Sequence, residues 1–176
     1  MQLHPAIQRR KSIRLKKYDY ALNGTYFITI CAQNKACLFG EIINSTMHLN
    51  PAGQMICAEW QTLPKQFPHI ELDVCVLMPN HIHAIIHAGA APMAATAQLR
   101  RSIGDVVGAF KSRSTLEYIR SVKSHNWHAF DKRLWQRNYY EHIIRDEASL
   151  ASIREYIVNN PLQWQFDREN PSFQSY

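Results

Sequence analysis

Two histidines, His81 and His83, stand two residues apart in the run HIHAIIHA, with His87 four residues further on. In an extended strand, residues i and i+2 point the same way with their α carbons about 7 Å apart, so both imidazoles face one side. Such a pair can grip one divalent metal through a single nitrogen each. Ile82, Ala84 and Ile86 then bury the opposite face and hold the strand rigid. Taken alone, the alternation equally describes polar-face histidines that bind nothing. A second group stands near the far end of the chain, where Tyr156 and Asn160 are spaced i, i+4 on one helix face. Tyr156 borders the apolar stripe of Ile153 and Ile157, and Asn160 precedes Pro161, which ends the helix and leaves the amide oxygen free to act as a ligand. Read from the helix alone, Tyr156 is also a half-buried aromatic and Asn160 a helix C-terminal residue.

Joined, the two groups point to phosphoryl transfer. A metal on His81, His83 and an oxygen ligand polarises a phosphodiester, and a nearby tyrosine attacks phosphorus. The metal is needed because a phenol of pKa near 10 is a poor nucleophile at neutral pH and the phosphodiester charge repels an incoming anion. Spacing does not choose the tyrosine: the chain has eight, and Tyr118, Tyr139 and Tyr140 also lie in segments expected to be ordered. A different chemistry, hydrolysis by a metal on His81, His83 and His87 with an activated water, uses the histidines without any tyrosine.

The elements that must position these residues follow from periodicity. Thr25 to Ala32 reads as a core strand, 38–43 and 46–49 as a small hairpin around Asn44-Ser45, and Asn50-Pro51 as the cap and first residue of a helix to about 65. Ile70 to Met78 alternates, with Ile70, Leu72, Val74, Val76 and Met78 on one face, and pairs with His81 to Ala88 in an antiparallel hairpin. A second helix is expected between about 98 and 121, a strand from Trp135 to Ile144 with Trp135 mostly in the core, and a last helix from Asp146-Glu147 to Asn160-Pro161. Strands mixed with helices around a central hairpin, without βαβ repetition, predict an α+β fold with a mainly antiparallel sheet and helices packed on one face.

Composition bounds the partners. A chain of 176 residues is the size of one domain, and 46% hydrophobic with 19% charged residues excludes wholesale disorder. Its apolar runs are too short to span a bilayer and its start lacks a signal-peptide core, so neither a membrane span nor Sec export is expected, and the location read is cytoplasmic. Cys31, Cys37, Cys57 and Cys75 form no CxxC pair and are read as reduced core or near-core thiols. The net charge of +6 comes from Arg9, Arg10, Lys11, Arg14, Lys16 and Lys17, without which basic and acidic residues balance. This basic arm, with Tyr18 and Tyr20 behind it, suits a phosphate backbone, although an acidic membrane surface or plain solvent would suit it too.

The run VLMPNHIHAIIHA resembles the HUH motif of single-tyrosine transposases, and LWQRNYYEHIIRDEASLASIREYIVNNP resembles the closing region of the REP-associated tyrosine transposases and related insertion-sequence transposases. The similarity runs from about Tyr18 to Trp164. It implies a ferredoxin-like α+β nuclease domain over 21–176 behind the 1–20 arm, cutting and rejoining single-stranded DNA at hairpin-flanked sites with Mg²⁺ or Mn²⁺. By that resemblance His81 and His83 are metal ligands and Tyr156 is the nucleophile that takes a DNA 5′ phosphate. Asn160 stands at the third-ligand position, where some relatives carry Gln. No family role falls on His87. The arm, with Arg100, Arg101, Lys111 and Arg113, is expected to track DNA phosphates, and a monomer is favoured over a homodimer. A catalytically silent module that binds hairpin repeats is the competing reading.

Overall fold

The computed structural model describes residues 23–89 and 101–173. Its main sheet has four strands, β1 (Gly24–Cys31), β4 (Ile70–Leu77), β5 (His81–Ala88) and β6 (Tyr140–Ile144), in the order β4-β5-β1-β6, and every neighbouring pair is antiparallel. A hairpin of β2 (Gly40–Ile43) and β3 (Thr46–Leu49) stands apart from it. Helices α1 (Pro51–Gln61), α2 (Leu63–Gln66), α3 (Ile103–His125) and α4 (Glu147–Asn159) complete the chain, with a 3-10 helix at Asn160–Phe166. Removing the hairpin leaves strand, helix, strand, strand, helix, strand, the ferredoxin-like split arrangement.

The protein is α+β, and its larger core fills one face of the sheet. Tyr26, Ile28 and Ile30 of β1 and Ile82, Ala84 and Ile86 of β5 meet Ile56 and Trp60 of α1 and Val106, Val107 and Phe110 of α3. Trp135 joins this core as expected, its indole N–H donating to Ser114 Oγ at 2.9 Å. The alternate residues of the same strands face the other way, and there α4 lays Leu150, Ile153 and Ile157 on Phe27, Ile85, Ile144, Val74 and Val76. The scaffold helices α1 and α3 thus share one face, and the helix bearing Tyr156 crosses the other, beside the histidines.

Several boundaries moved for identifiable reasons. The helix expected to run to 65 breaks at Thr62, because Pro64 opens a new turn as α2. Helix α3 begins at Ile103 behind a reciprocal capping box of Ser102 and Asp105, and residues 98–100 lie outside the described chain. The last strand begins at Tyr140 rather than Trp135: Trp135 makes one bridge to Ala32, while Lys111 Nζ donates to the carbonyls of Gln136 and Asn138, both at 3.0 Å, and holds that stretch as a loop. In β4 a bulge between Leu72 and Cys75 breaks the expected alternation. One extra residue reverses the phase, so Ile70 and Leu72 join Cys75 and Leu77 in the larger core while Val74 and Val76 turn to α4. Cys37 is exposed and the other cysteines are partly buried; all four are free thiols. Among the described residues no helix is long and apolar enough to cross a membrane.

Candidate active site

The histidine pair is built into the middle of the sheet. His81 and His83 stand opposite Cys31 and Thr29 of β1 in register, and both are buried, at 0% and 5% exposure. Their Nε2 atoms face each other at 3.0 Å. Asn80 fixes the first ring: its Nδ2 donates to the carbonyls of Lys35 at 2.9 Å and Glu169 at 2.7 Å, so its Oδ1 must accept from His81 Nδ1–H at 2.8 Å. The lone pair of His81 is therefore on Nε2, aimed at the site. Thr29 Oγ1 holds His83 Nδ1 at 2.7 Å, and Phe27 stacks on the same ring at 5.5 Å. Burial, with the positive Lys35 nearby, pulls His81 down to about 3, and burial with His81 beside it holds His83 well below the ordinary imidazole range. Both rings are neutral at physiological pH, the form in which imidazole binds a metal.

Helix α4 brings the phenol to this pair. It starts at Asp146, whose side chain accepts from the Ser149 N–H at 2.8 Å, and its apolar stripe seats it on the sheet. Tyr156 Oη then lies 3.4 Å from His83 Nε2, with its ring edge-on to Phe27 at 6.1 Å. Burial pushes the phenol up to about 12, the Asp167 carboxylate adds to the rise, and a hydrogen bond with Asn160 opposes it. One turn on, Asn160 is buried, and its Oδ1 accepts no hydrogen bond.

A further residue, unforeseen in the sequence, completes the group. Asp167 follows the 3-10 helix and places Oδ2 at 3.6 Å from His81 Nε2, and His81, His83 and Asp167 present ligand atoms within 4.8 Å of one another. Its Oδ2 is also buried without a hydrogen-bond partner. Two donors each about 2.1 Å from one ion stand about 3 Å apart at a right angle and about 4.2 Å when opposed. The separations of 3.0 and 3.6 Å fall in that range. Two neutral nitrogens facing each other beside the orphaned Asp167 oxygen form a donor set that fits a divalent metal.

The other expected residues fall elsewhere. His87 shares the strand face but not the site: its Nε2 donates to Asp73 Oδ2 at 2.8 Å and its Nδ1 contacts Thr25 Oγ1 at 2.9 Å. Lys111 is committed to loop carbonyls, and Arg113 pairs with Glu59 at 3.1 Å and Gln66 at 3.2 Å, both on the α3 side of the sheet. The structure does not bring them, or Arg101 at the start of α3, to the histidines. Arg9, Arg10, Lys11, Arg14, Lys16, Lys17 and Arg100 lie outside the described residues.

With the sheet, the histidine pair and the tyrosine helix placed, the sequence itself matches a known family: residues 65–160 fit the family described as IS200-like transposases. That span is more than half of the chain, and the protein belongs to this family. An uncharacterised protein of Haemophilus influenzae is 44% identical over 178 residues, covering 92% of this chain and 93% of that one. Another protein of the same organism, provisionally named a REP-associated tyrosine transposase, is 25% identical over 152 residues, covering 82% of this chain and 74% of its own length. The solved structure of a REP-associated tyrosine transposase bound to a REP hairpin superposes with a TM-score of 0.59 at 18% identity, over 86% of this chain and 74% of that one. The two share a fold.

Proposed function

We propose that this protein is a metal-dependent, single-strand DNA transposase that cuts and rejoins DNA at hairpin-flanked sites through a covalent 5′-phosphotyrosine. The observation that carries the reading is the meeting of Tyr156 Oη with His83 Nε2 at 3.4 Å, with the unpartnered Asp167 Oδ2 at 3.6 Å from the adjoining His81. Tyr156 is the nucleophile, and His81, His83 and Asn160 hold the Mg²⁺ or Mn²⁺. Bound there, the ion supplies Lewis-acid polarisation of the scissile phosphate and offsets its charge. Tyr156 gives up its phenolic proton as Oη bonds to phosphorus, the bond to the 3′ oxygen breaks, and that oxygen leaves as a hydroxyl after taking a proton. Rejoining is the reverse, with a 3′ hydroxyl attacking the phosphotyrosine. Phe27 and His83 flank the phenol and fix its approach, which is where orientation lowers the barrier.

The nucleophile and the histidines belong to one chain, which supports a site complete in a monomer. The basic arm of residues 1–20 and Arg100 and Arg101 are the proposed phosphate contacts beside the 21–176 nuclease domain. Lys111 and Arg113 would reach DNA only by giving up the partners described above. Hydrolysis on three histidines loses support, because Asp73 and Thr25 occupy both nitrogens of His87.

The test is incubation with Mn²⁺ and labelled single-stranded hairpin oligonucleotides, read on a denaturing gel beside Tyr156→Phe and His81→Ala. A protein-linked DNA band that vanishes in both variants is the expected result. Hairpin binding without any adduct would instead favour the catalytically silent module, and an adduct surviving in Tyr156→Phe would move the nucleophile to another tyrosine.

A further inference from the structure

Asp167 reaches the histidines along a different route from Asn160. The 3-10 helix carries the chain away from the end of α4, and the turn after it folds back, with the Asp167 N–H donating to the Trp164 carbonyl at 3.1 Å. The returning segment is tied to the body at several points. Asn80 donates to the Glu169 carbonyl at 2.7 Å, Lys35 donates to the Arg168 carbonyl and pairs with Glu169 at 3.7 Å, and Trp164 lies over His81 with ring centres 6.1 Å apart. Within this strap Asp167 has one satisfied oxygen, since Oδ1 accepts from the Glu169 N–H at 2.7 Å. The other, Oδ2, sits on a side chain only 10% exposed and accepts nothing. Burying a carboxylate oxygen without a partner is costly, so the site is arranged for a positive charge at that point. The His81 ring N–H that the hydrogen bonds fix points away from it, to Asn80 Oδ1 at 2.8 Å, and Lys35 is spent on Glu169 and the Arg168 carbonyl.

We infer that Asp167 is a fourth, anionic ligand for the divalent ion held by His81, His83 and Asn160, so that one ion ties β5, the end of α4 and the 160–169 strap together. This rests on the proposed metal-dependent reading. The donor set becomes two imidazole nitrogens, one amide oxygen and one carboxylate, whose single negative charge offsets half of the dication. Imidazole suits transition ions and Mg²⁺ prefers oxygen and retained water, so Mn²⁺ binds more tightly than Mg²⁺. Ion binding is also linked to the strap: whatever binds only when the strap is seated holds it seated.

The test titrates Mn²⁺ into the full chain, following the loss of the free-ion electron paramagnetic resonance signal, for wild type, Asp167→Asn and His81→Ala. Hydrogen exchange of residues 160–169 is measured with and without the ion. Asp167→Asn keeps an oxygen for the Glu169 N–H and removes only the charge. It is expected to weaken Mn²⁺ binding at least about 10-fold and to abolish the ion-induced protection of the strap, while His81→Ala abolishes binding. Wild-type affinity in Asp167→Asn, with binding lost in His81→Ala, would overturn the assignment and leave the metal-dependent reading standing. No Mn²⁺ binding by wild type would overturn both. Should Asp167→Asn fail to fold, wild type labelled with ¹³C-aspartate decides by difference infrared spectroscopy. A carboxylate stretch that shifts on adding Mn²⁺ supports the ligand, and an unchanged carboxylate region overturns it.

Discussion

Arg154 of α4 grips Asp73 of β4, its Nε and Nη2 donating to the same carboxylate oxygen at 3.0 and 2.7 Å. His87 donates to that oxygen too, and the second oxygen accepts from the Val74 N–H at 2.7 Å. This is a polar anchor between the tyrosine helix and the sheet: Leu72 faces the larger core, so Asp73 beside it faces α4. Arg154→Ala is expected to lower the melting temperature only slightly, because the guanidinium is largely exposed. It should slow single-turnover adduct formation by about 10–100-fold, since a small misplacement of Tyr156 is enough, while oligonucleotide affinity stays unchanged. Arg154→Lys, which keeps the charge but not the fork, should recover part of the rate. Equal losses of affinity and rate would mean that Arg154 contacts DNA instead.

The same anchor sets an acid limit. Burial raises the Asp73 carboxyl, but hydrogen bonds from Arg154, His87 and Val74 outweigh it and hold the group at about 2. A carboxyl depressed on folding contributes stability above its unfolded value, about 3.9, and loses it as pH falls through the folded value. Thermal unfolding of wild type and Asp73→Asn should therefore differ by a constant amount above about pH 5, and the gap should close between about pH 4 and pH 2.

With its phenol at about 12 in the metal-free protein, Tyr156 is almost wholly protonated at neutral pH. Ultraviolet difference titration without metal should show a late-ionising tyrosine that is missing in Tyr156→Phe. Adding Mn²⁺ should move that step to lower pH, because a nearby cation favours the phenolate. A step that stays in place with Mn²⁺ bound would separate the ion from the tyrosine.

Asn80 does two jobs through one amide, setting the His81 tautomer and anchoring the strap at Glu169. Asn80→Ala is expected to lower Mn²⁺ affinity about 10–100-fold without touching a proposed ligand, measured by the same titration. It should also raise hydrogen exchange across residues 167–170. Asn80→Asp, which lacks the Nδ2 donors, should release the strap while still accepting from His81.

The order of strands and helices, the inward histidines and the helix with Tyr156 one turn before Asn160 were all legible, because each depends on local periodicity. The β4 alternation misled from Val74 onward, since a bulge is a pairing event between strands and leaves no mark in a single strand's pattern. Asp167 lay in a tail that read only as polar and aromatic. Its reach to His81 depends on a 3-10 turn and a carbonyl of Trp164. Asn80 looked like a turn residue after Pro79, and nothing local told of its bonds to Lys35 and Glu169, which are distant in sequence. His87 shared the face of His83, yet its partners Asp73 and Thr25 come from both neighbouring strands.

The order β4-β5-β1-β6 also governs when the molecule becomes competent. β1 is central, and its partner β6 lies near the opposite end of the chain, with Thr25 opposite Ile144. During synthesis β1 emerges early and waits, because a pairing of such long sequence separation closes slowly and only once the distant strand exists. Tyr156, Asn160 and Asp167 emerge later still. A chain that ends before α4 can present the histidine hairpin but lacks the phenol that meets His83, so the two halves of the site come together only after β6 and α4 have joined the sheet.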